Sequence, residues 1–282
     1  MRKIILNSQL IDENKAFIHV TDLSLLRGYG IFDFFRLDGA KPVFFNDHLD
    51  RFFNSARIMR LQIPDQKPEL KSLISQMLKE NKIASSGVRL VLTGGESPNG
   101  YSIGRPTFFA INEPINALPP KHFTEGIKLI THEYLRDLPE VKTTNYLQGI
   151  HLKPEVEASH AVDVLYTWQG NVLEVTRSNL FIVTQEGIIK TAKDNILNGI
   201  NRQHVIKMIG TDYQIDEEAI SITDLKEASE VFMTGTTKKI TPVVQIDDHV
   251  FGDGNPGRLT KILMSEYDNY LSEYLKSIDP LF

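Results

Sequence analysis

The sequence contains no cysteine, a single tryptophan and no apolar run near the ~18 residues that would cross a bilayer. The missing thiols exclude disulfides, thiolate nucleophiles and cysteine-ligated metal centres. Charge of one sign is also scarce: 31 Lys and Arg against 36 Asp and Glu give a formal net charge of −5. General nucleic-acid binding therefore has no electrostatic support, although a local basic pocket for a small anion remains open. The usual catalytic signatures are absent as well. The 8 histidines include no HExxH pair, and His151 and His160 are too far apart to form one, so no metal site is expected. No GxSxG elbow marks a serine hydrolase. The glycines of "GYG" at Gly28 and "GGESPNG" at Gly94 complete neither a P-loop nor a GxGxxG, and read as turns. Neither end reads as a targeting segment, so the expected compartment is the cytoplasm, with no membrane and no nucleic-acid partner.

The 282 residues are 41% hydrophobic and 24% charged, enough for one large domain or two of ordinary size. "KIILNSQLI" from Lys3 predicts an early hairpin. "GIFDFFRLDGAKPVFF" from Gly30 predicts a second, turning at "DGAKP". Leu49, Phe52, Phe53, Ala56 and Met59 recur at helical spacing, and Pro68 suits the first turn of another helix reaching Ile83. "GVRLVLTGG" and "RPTFFAINE" read as strands. The proline-rich "EPINALPPKHFTEG" from Glu113 to Gly126 reads as a linker, which predicts domains at 1–117 and 118–282. Beyond it we expect a strand at "IKLITHEY", helix interrupted at Pro154, and strands around "WQGNVLEV", "NLFIVT" and "EVFMTGT". A short helix is expected at "GINRQHVIKMIG" and a long one at the C-terminus. Without strict βαβ alternation, this pattern favours two domains of an α+β class over a doubly wound sheet.

Four stretches carry candidate chemistry. "LNGINRQHV" puts Gly199 at the mouth of a helix, where unpaired N–H groups can hold an anion. "MTGTTKKITPV" is an apolar strand that ends in Gly235, Thr236 and Thr237. "HLDRFF" places Arg51 early on an amphipathic helix, as an available phosphate fork. "NVLEVTRSNLF" sets Glu174 in an apolar strand, where a carboxylate needs a cationic or proton-bearing partner.

Taken in order, these stretches resemble the class IV aminotransferases, the fold-type IV pyridoxal phosphate (PLP) enzymes. That family includes branched-chain and D-amino acid aminotransferases and aminodeoxychorismate lyase. "LLRGYGIFDFFR", "HLDRFFNSARIMRL", "VKTTNYL", "LEVTRSNLF", "LNGINRQHVIKM" and "MTGTTKKITPV" match the family's segments across nearly the whole chain. The resemblance implies two α/β domains, the larger C-terminal one binding PLP, and a homodimer. It implies that Lys142 is the Schiff-base lysine, that Glu174 faces the pyridine nitrogen, and that Tyr146 bonds the phenolic oxygen. Arg51, the N–H groups of Ile200 and Asn201, and the Thr236 hydroxyl are implied to hold the phosphate. Tyr29, Arg89 and Thr237 are implied on the substrate side. The implied reaction is amino transfer from an apolar or branched-chain amino acid to a 2-oxo acid. A pyruvate-releasing lyase and a non-catalytic PLP-binding protein are the alternatives. The chain departs from the family pattern at Asp33 (usually glutamate), Val175 (often glycine), Arg177, Asn201 (threonine) and Lys239 (glutamate).

Overall fold

In the computed structural model, β1 (Lys3–Leu6) and β2 (Gln9–Asp12) form the expected antiparallel hairpin, with Ile4 opposite Ile11. The structure describes residues 1–83, 85–115, 117–210 and 212–282. The chain divides into two units: Met1–Asn116 with Val141–Tyr146 and Leu275–Phe282, and Ala117–Glu140 with Leu147–Tyr274.

The first unit adds α1 (Leu23–Arg27), β3 (Gly30–Asp38), β4 (Lys41–Pro42), α2 (Phe45–Ile58), α3 (Lys67–Asn81), β5 (Ser86–Thr93) and β6 (Phe108–Pro114). Its sheet runs β2-β1-β6-β5-β3-β4 and is antiparallel throughout. The period-2 alternation of β3 buries Ile31, Asp33, Phe35 and Leu37 and leaves Phe32, Phe34 and Arg36 half-buried on the opposite face. Helix α2 buries Phe45, His48, Leu49, Phe52 and Ala56, an i, i+3, i+4, i+7, i+11 stripe. That stripe packs into one core with Phe35, Ile74, Leu90 and Phe108. Phe53, expected on this face, is only partly buried, and His48 takes a fully buried place instead. Helix α1 is capped by Asp22, which accepts from the Ser24 N–H, and ends at Gly28 with φ +68°.

The second unit contains α4 (Lys121–Thr124), β7 (Ile127–Glu133), α5 (Leu147–His151), α6 (Lys153–Ala158), β8 (Asp163–Trp168), β9 (Asn171–Val175) and β10 (Ser178–Val183). It continues with β11 (Ile189–Thr191), α7 (Ile200–Ile209), β12 (Ile215–Glu217), β13 (Ile220–Ser221) and α8 (Ile222–Glu227). The last elements are β14 (Glu230–Gly235), β15 (Lys239–Ile246), β16 (His249–Val250) and α9 (Arg258–Ser277). Pro154 lies in the first turn of α6, which accounts for the expected interruption. Strands β10, β14, β15, β7, β8 and β9 pair in sequence, and β9 pairs back onto β10, so these strands close into a barrel. Only β15–β7 and β7–β8 are parallel within that ring. Gln169 and Gly170, both at positive φ, make the tight turn between β8 and β9. Strand β15 is absent from the sequence reading because Pro242 lies inside it; here Pro242 sits opposite Phe232 on β14. Among the described residues, no helix is long and apolar enough to cross a membrane.

Candidate active site

In the first unit, the segment carrying Lys142 lies along β3. The Phe32 N–H donates to the Lys142 carbonyl at 2.9 Å, and Thr144 N–H donates to Gly30 O at 2.9 Å. This places the Lys142 ammonium 4.5 Å from the centroid of the Phe32 ring. Tyr146 meets the same ring edge-on at 5.6 Å. Arg89 lies 5.4 Å from Phe32 and 5.2 Å from Phe34, and is paired with Glu113 on β6. Phe32 thus gathers three expected site residues around one ring: Lys142, Tyr146 and Arg89. Tyr29 is turned elsewhere, its hydroxyl donating to Met59 O at 2.8 Å.

Arg51 is engaged within this unit. Its Nε donates to Asp33 Oδ2 and its Nη2 to Asp33 Oδ1, both at 2.8 Å. His48 Nδ1 lies 2.7 Å from Oδ1, and both His48 and Asp33 are fully buried. Burial pushes the Asp33 carboxyl up, but the Arg51 charge and His48 outweigh it and hold the group far below the usual carboxylate range. Burial, joined by the Arg51 and Lys142 charges, lowers the His48 imidazole despite Asp33. His48 is therefore the neutral donor to an ionised Asp33.

In the second unit, three polar side chains fall in one row across adjacent strands. Glu174 on β9 is opposite Asn179 on β10, and Asn179 is opposite Thr234 on β14. Glu174 is buried and bonds Arg136, with Nε 2.8 Å and Nη2 2.7 Å from Oε1. Its other oxygen accepts the Leu197 N–H at 3.0 Å, and Asn179 Nδ2 donates to Leu197 O at 2.8 Å. The row therefore fixes the chain just before α7. Gly199, the N-cap, supplies no side-chain cap. A Cβ there would lie 2.1 Å from Asn179 Oδ1, so any larger residue would force Asn179 or the loop to shift. The first N–H groups of α7, including those of Ile200 and Asn201, have no intrahelical acceptor. The Asn201 side chain points to Tyr267, whose hydroxyl it meets at 2.6 Å, and so adds no donor at the helix mouth. Arg202 fastens the helix start to Ala192 O and Glu217.

Thr236 and Thr237 occupy the turn between β14 and β15, closed by Lys238 N–H donating to Gly235 O at 3.0 Å. Beneath this turn the buried Lys238 ammonium lies 3.0 Å from the buried Asp163 carboxylate on β8, and Arg177 is 3.5 Å from the same oxygen. Burial lowers the Lys238 pKa despite Asp163, while Lys238 and then Arg177 hold Asp163 low against its burial. Lys239 pairs with Asp268 on α9 at the surface. Near the row, Ser178 Oγ, Thr234 Oγ1 and Asn201 Oδ1 are buried with no hydrogen-bond partner among the described residues.

Sequence reasoning did not single out Arg136, His48, Asp163, Lys238 or Asn179. The one available signal was Glu174 itself, whose place in an apolar strand demanded a cation. For Arg136 and the others, pairing across strands decides the partner, and no local pattern shows it.

The comparisons with known proteins agree with this architecture. The family model of amino-transferase class IV matches residues 30–246. A Methanocaldococcus jannaschii protein, carrying only a provisional name as a branched-chain-amino-acid aminotransferase, is 34% identical over 96% of this chain and 97% of its own. The D-alanine aminotransferase of Listeria innocua is 32% identical, over 96% of this chain and 95% of its own. The solved T.th. branched-chain amino acid aminotransferase with pyridoxamine 5'-phosphate superposes with a TM-score of 0.89 at 26% identity, covering 100% and 99% of the two chains. The chain belongs to the class IV aminotransferases, with their fold-type IV, α+β architecture. It is an enzyme of transamination, and its cofactor is pyridoxal 5'-phosphate. The residues described fit that cofactor: a buried, arginine-paired carboxylate suits a ring N–H, and an uncapped helix start suits a phosphate.

Proposed function

We propose that this enzyme moves the amino group of an apolar or branched-chain amino acid to a 2-oxo acid. Lys142 is assigned as the amine that bonds the cofactor, Glu174 as the partner of the ring nitrogen, and Tyr146 as the partner of the phenolic oxygen. Arg51, the N–H groups of Ile200 and Asn201, and the Thr236 hydroxyl are assigned to the phosphate. Tyr29, Arg89 and Thr237 are assigned to the substrate. The larger C-terminal domain is assigned as the main cofactor-binding part. The observation that carries the reading is the buried Glu174 carboxylate, ion-paired with Arg136 and tied by Leu197 to the uncapped start of α7.

When bound, the cofactor supplies an electron sink for the carbanion formed at the substrate α-carbon. Glu174 supports this by holding a proton on the ring nitrogen, and Arg136 supports Glu174 by keeping its charge paired. The Lys142 Nζ would accept the proton lost from the substrate α-carbon and hand it on, as a general base and then acid. Its backbone is fixed by the Phe32 hydrogen bond, so only the side chain must swing. The α7 N–H groups and the Arg51 guanidinium suit a dianion, through oriented backbone dipoles and charge-assisted hydrogen bonds.

The branched-chain and D-alanine aminotransferases among the relatives set the donors to test. The purified, PLP-loaded enzyme is offered L- and D-valine, leucine, isoleucine and alanine, with 2-oxoglutarate or pyruvate as acceptor. The expected result is amine transfer with the largest kcat/KM for an apolar donor. Transfer confined to charged donors would overturn the substrate assignment. Lys142→Ala is expected to abolish turnover and the cofactor's bound absorbance, and an unchanged spectrum would overturn its role.

We also propose a cytoplasmic homodimer. On the first unit, α1 and the loop after β5 are tied together, with Leu23 N–H donating to Gly95 O and Ser97 N–H to Thr21 O. Around them Phe17, Val20, Leu25, Tyr101 and Ile103 are exposed, and such an apolar patch supports burial against a second copy. Sedimentation equilibrium at micromolar protein should give twice the chain mass.

A further inference from the structure

Asp33 occupies an unusual place for a carboxylate. It lies on the core face of β3 between Ile31 and Phe35, with no exposure to solvent. Four donors converge on it: the Phe34 N–H at 2.7 Å, His48 Nδ1 at 2.7 Å, and Arg51 through Nε and Nη2 at 2.8 Å. The carboxylate therefore takes one whole edge of the guanidinium, the edge formed by Nε and Nη2. Arg51 Nη1 forms no hydrogen bond with any described residue, and the Arg51 side chain retains 11% exposure. His48 is locked in turn, one turn before Arg51 on α2, with Nδ1 on Asp33 and Nε2 buried without a partner.

An arginine in solution samples many rotamers, and a phosphate must recruit the productive one. Here the rotamer is chosen before any ligand arrives. We propose that Asp33, backed by His48, is the positioning group that sets Arg51 as a preformed fork, leaving its Nη1 edge for the cofactor phosphate. This rests on the assignment of Arg51 to the phosphate. Neither Asp33 nor His48 touches the ligand in this role.

Two physical effects of Asp33 oppose each other, and their signs differ. By charge alone, Asp33 cancels the Arg51 cation, so removing it should tighten the binding of a dianion. By orientation, removing it frees the guanidinium and should loosen that binding. The four bonds converging on a fully buried carboxylate favour orientation, because a bidentate pair whose acceptor is desolvated fixes geometry more strongly than it weakens a partly exposed field.

The test measures dissociation constants of the apoenzyme for PLP and for pyridoxal, which lacks the phosphate, by absorbance and fluorescence titration. Asp33→Asn is expected to weaken PLP about tenfold while changing pyridoxal by less than about twofold. Asp33→Glu, which keeps the carboxylate, is expected to recover most of the loss. A general folding defect would weaken both ligands together and would overturn the proposal, as would PLP binding that is unchanged or tighter in Asp33→Asn. If Asp33→Asn does not fold, His48→Gln carries the test: about threefold weaker PLP with unchanged pyridoxal supports the proposal, and equal affinity for PLP overturns it. Arg51→Gln separates the underlying assignment. It should erase most of the preference for PLP over pyridoxal. If that preference survives in Arg51→Gln, Arg51 is not the phosphate ligand and the proposal falls with it. If the preference is lost there but intact in Asp33→Asn, only the positioning role fails.

Discussion

Arg136 reaches Glu174 with two donors on a single oxygen, Nε at 2.8 Å and Nη2 at 2.7 Å from Oε1. The second oxygen accepts from the Leu197 N–H. One buried carboxylate thus ties β7's C-terminal extension to the start of α7. Removing the cation leaves a charge stranded in a low-dielectric interior. Arg136→Leu is expected to cost about 3–5 kcal/mol of unfolding free energy, measured by denaturant titration. Adding Glu174→Gln to that variant should recover part of the loss, because the stranded charge disappears. Equal stability of the single and double variants would contradict the coupling.

Gly199 offers a sharper local test. A methyl group there would meet Asn179 Oδ1 at 2.1 Å, a separation that forces the loop or Asn179 to move. Asn179 is also the residue that holds Leu197 O. Gly199→Ala should therefore displace the first N–H groups of α7 and weaken PLP binding at least about tenfold, with little change in helix content by circular dichroism.

The Asp163–Lys238 pair makes a different prediction. Both groups are buried, so their attraction is offset by the cost of taking them from water. Lys238→Met leaves Asp163 without its main partner, although Arg177 at 3.5 Å provides some compensation. The expected loss is about 2–4 kcal/mol, while the double change Asp163→Leu with Lys238→Met is expected to fall within about 1 kcal/mol of the parent. Thermal unfolding of the four proteins checks the cycle.

The pH dependence follows from His48 and Asp33. Burial lowers the His48 pKa in the folded chain, so below the ordinary imidazole range, near ~6.5, the unfolded chain binds a proton that the folded one refuses. Stability is then lost as pH falls through that range. Asp33, also depressed when folded, adds a second loss as pH falls below the ordinary carboxylate value near ~3.9. His48→Gln should flatten the first limb, seen as a smaller drop in Tm between about pH 7 and pH 5. An undiminished drop would show that His48 does not drive it.

The elements that follow from short-range pattern were readable in the chain. The β1–β2 hairpin, the stripe of α2 and the long α9 each repeat apolar residues at a period that one element imposes by itself. Where a residue broke the local rule, the reading failed. Pro242 hid β15, which survives as a strand because both its neighbours in the barrel supply pairing. His48 went unremarked because a polar residue on an apolar stripe says nothing of the carboxylate opposite it. A single break near residue 117 likewise has no means of expressing that Val141–Tyr146 and Leu275–Phe282 pack with the first unit.

The motif order around Lys142, Glu174, Arg51, Gly199 and Thr236 was carried by residue identity, because a family's cofactor chemistry constrains which side chains stand at which spacing. Membership in the class IV aminotransferases was therefore legible from the sequence. The partners of those residues were not. Arg136 on Glu174, Arg51 and His48 on Asp33, and Lys238 on Asp163 join positions 38, 18, 15 and 75 residues apart along the chain, and Lys142 meets Phe32 only because its segment lies along β3. Separations of that size carry no periodic signal, and only strand pairing and burial bring the charges within hydrogen-bond reach.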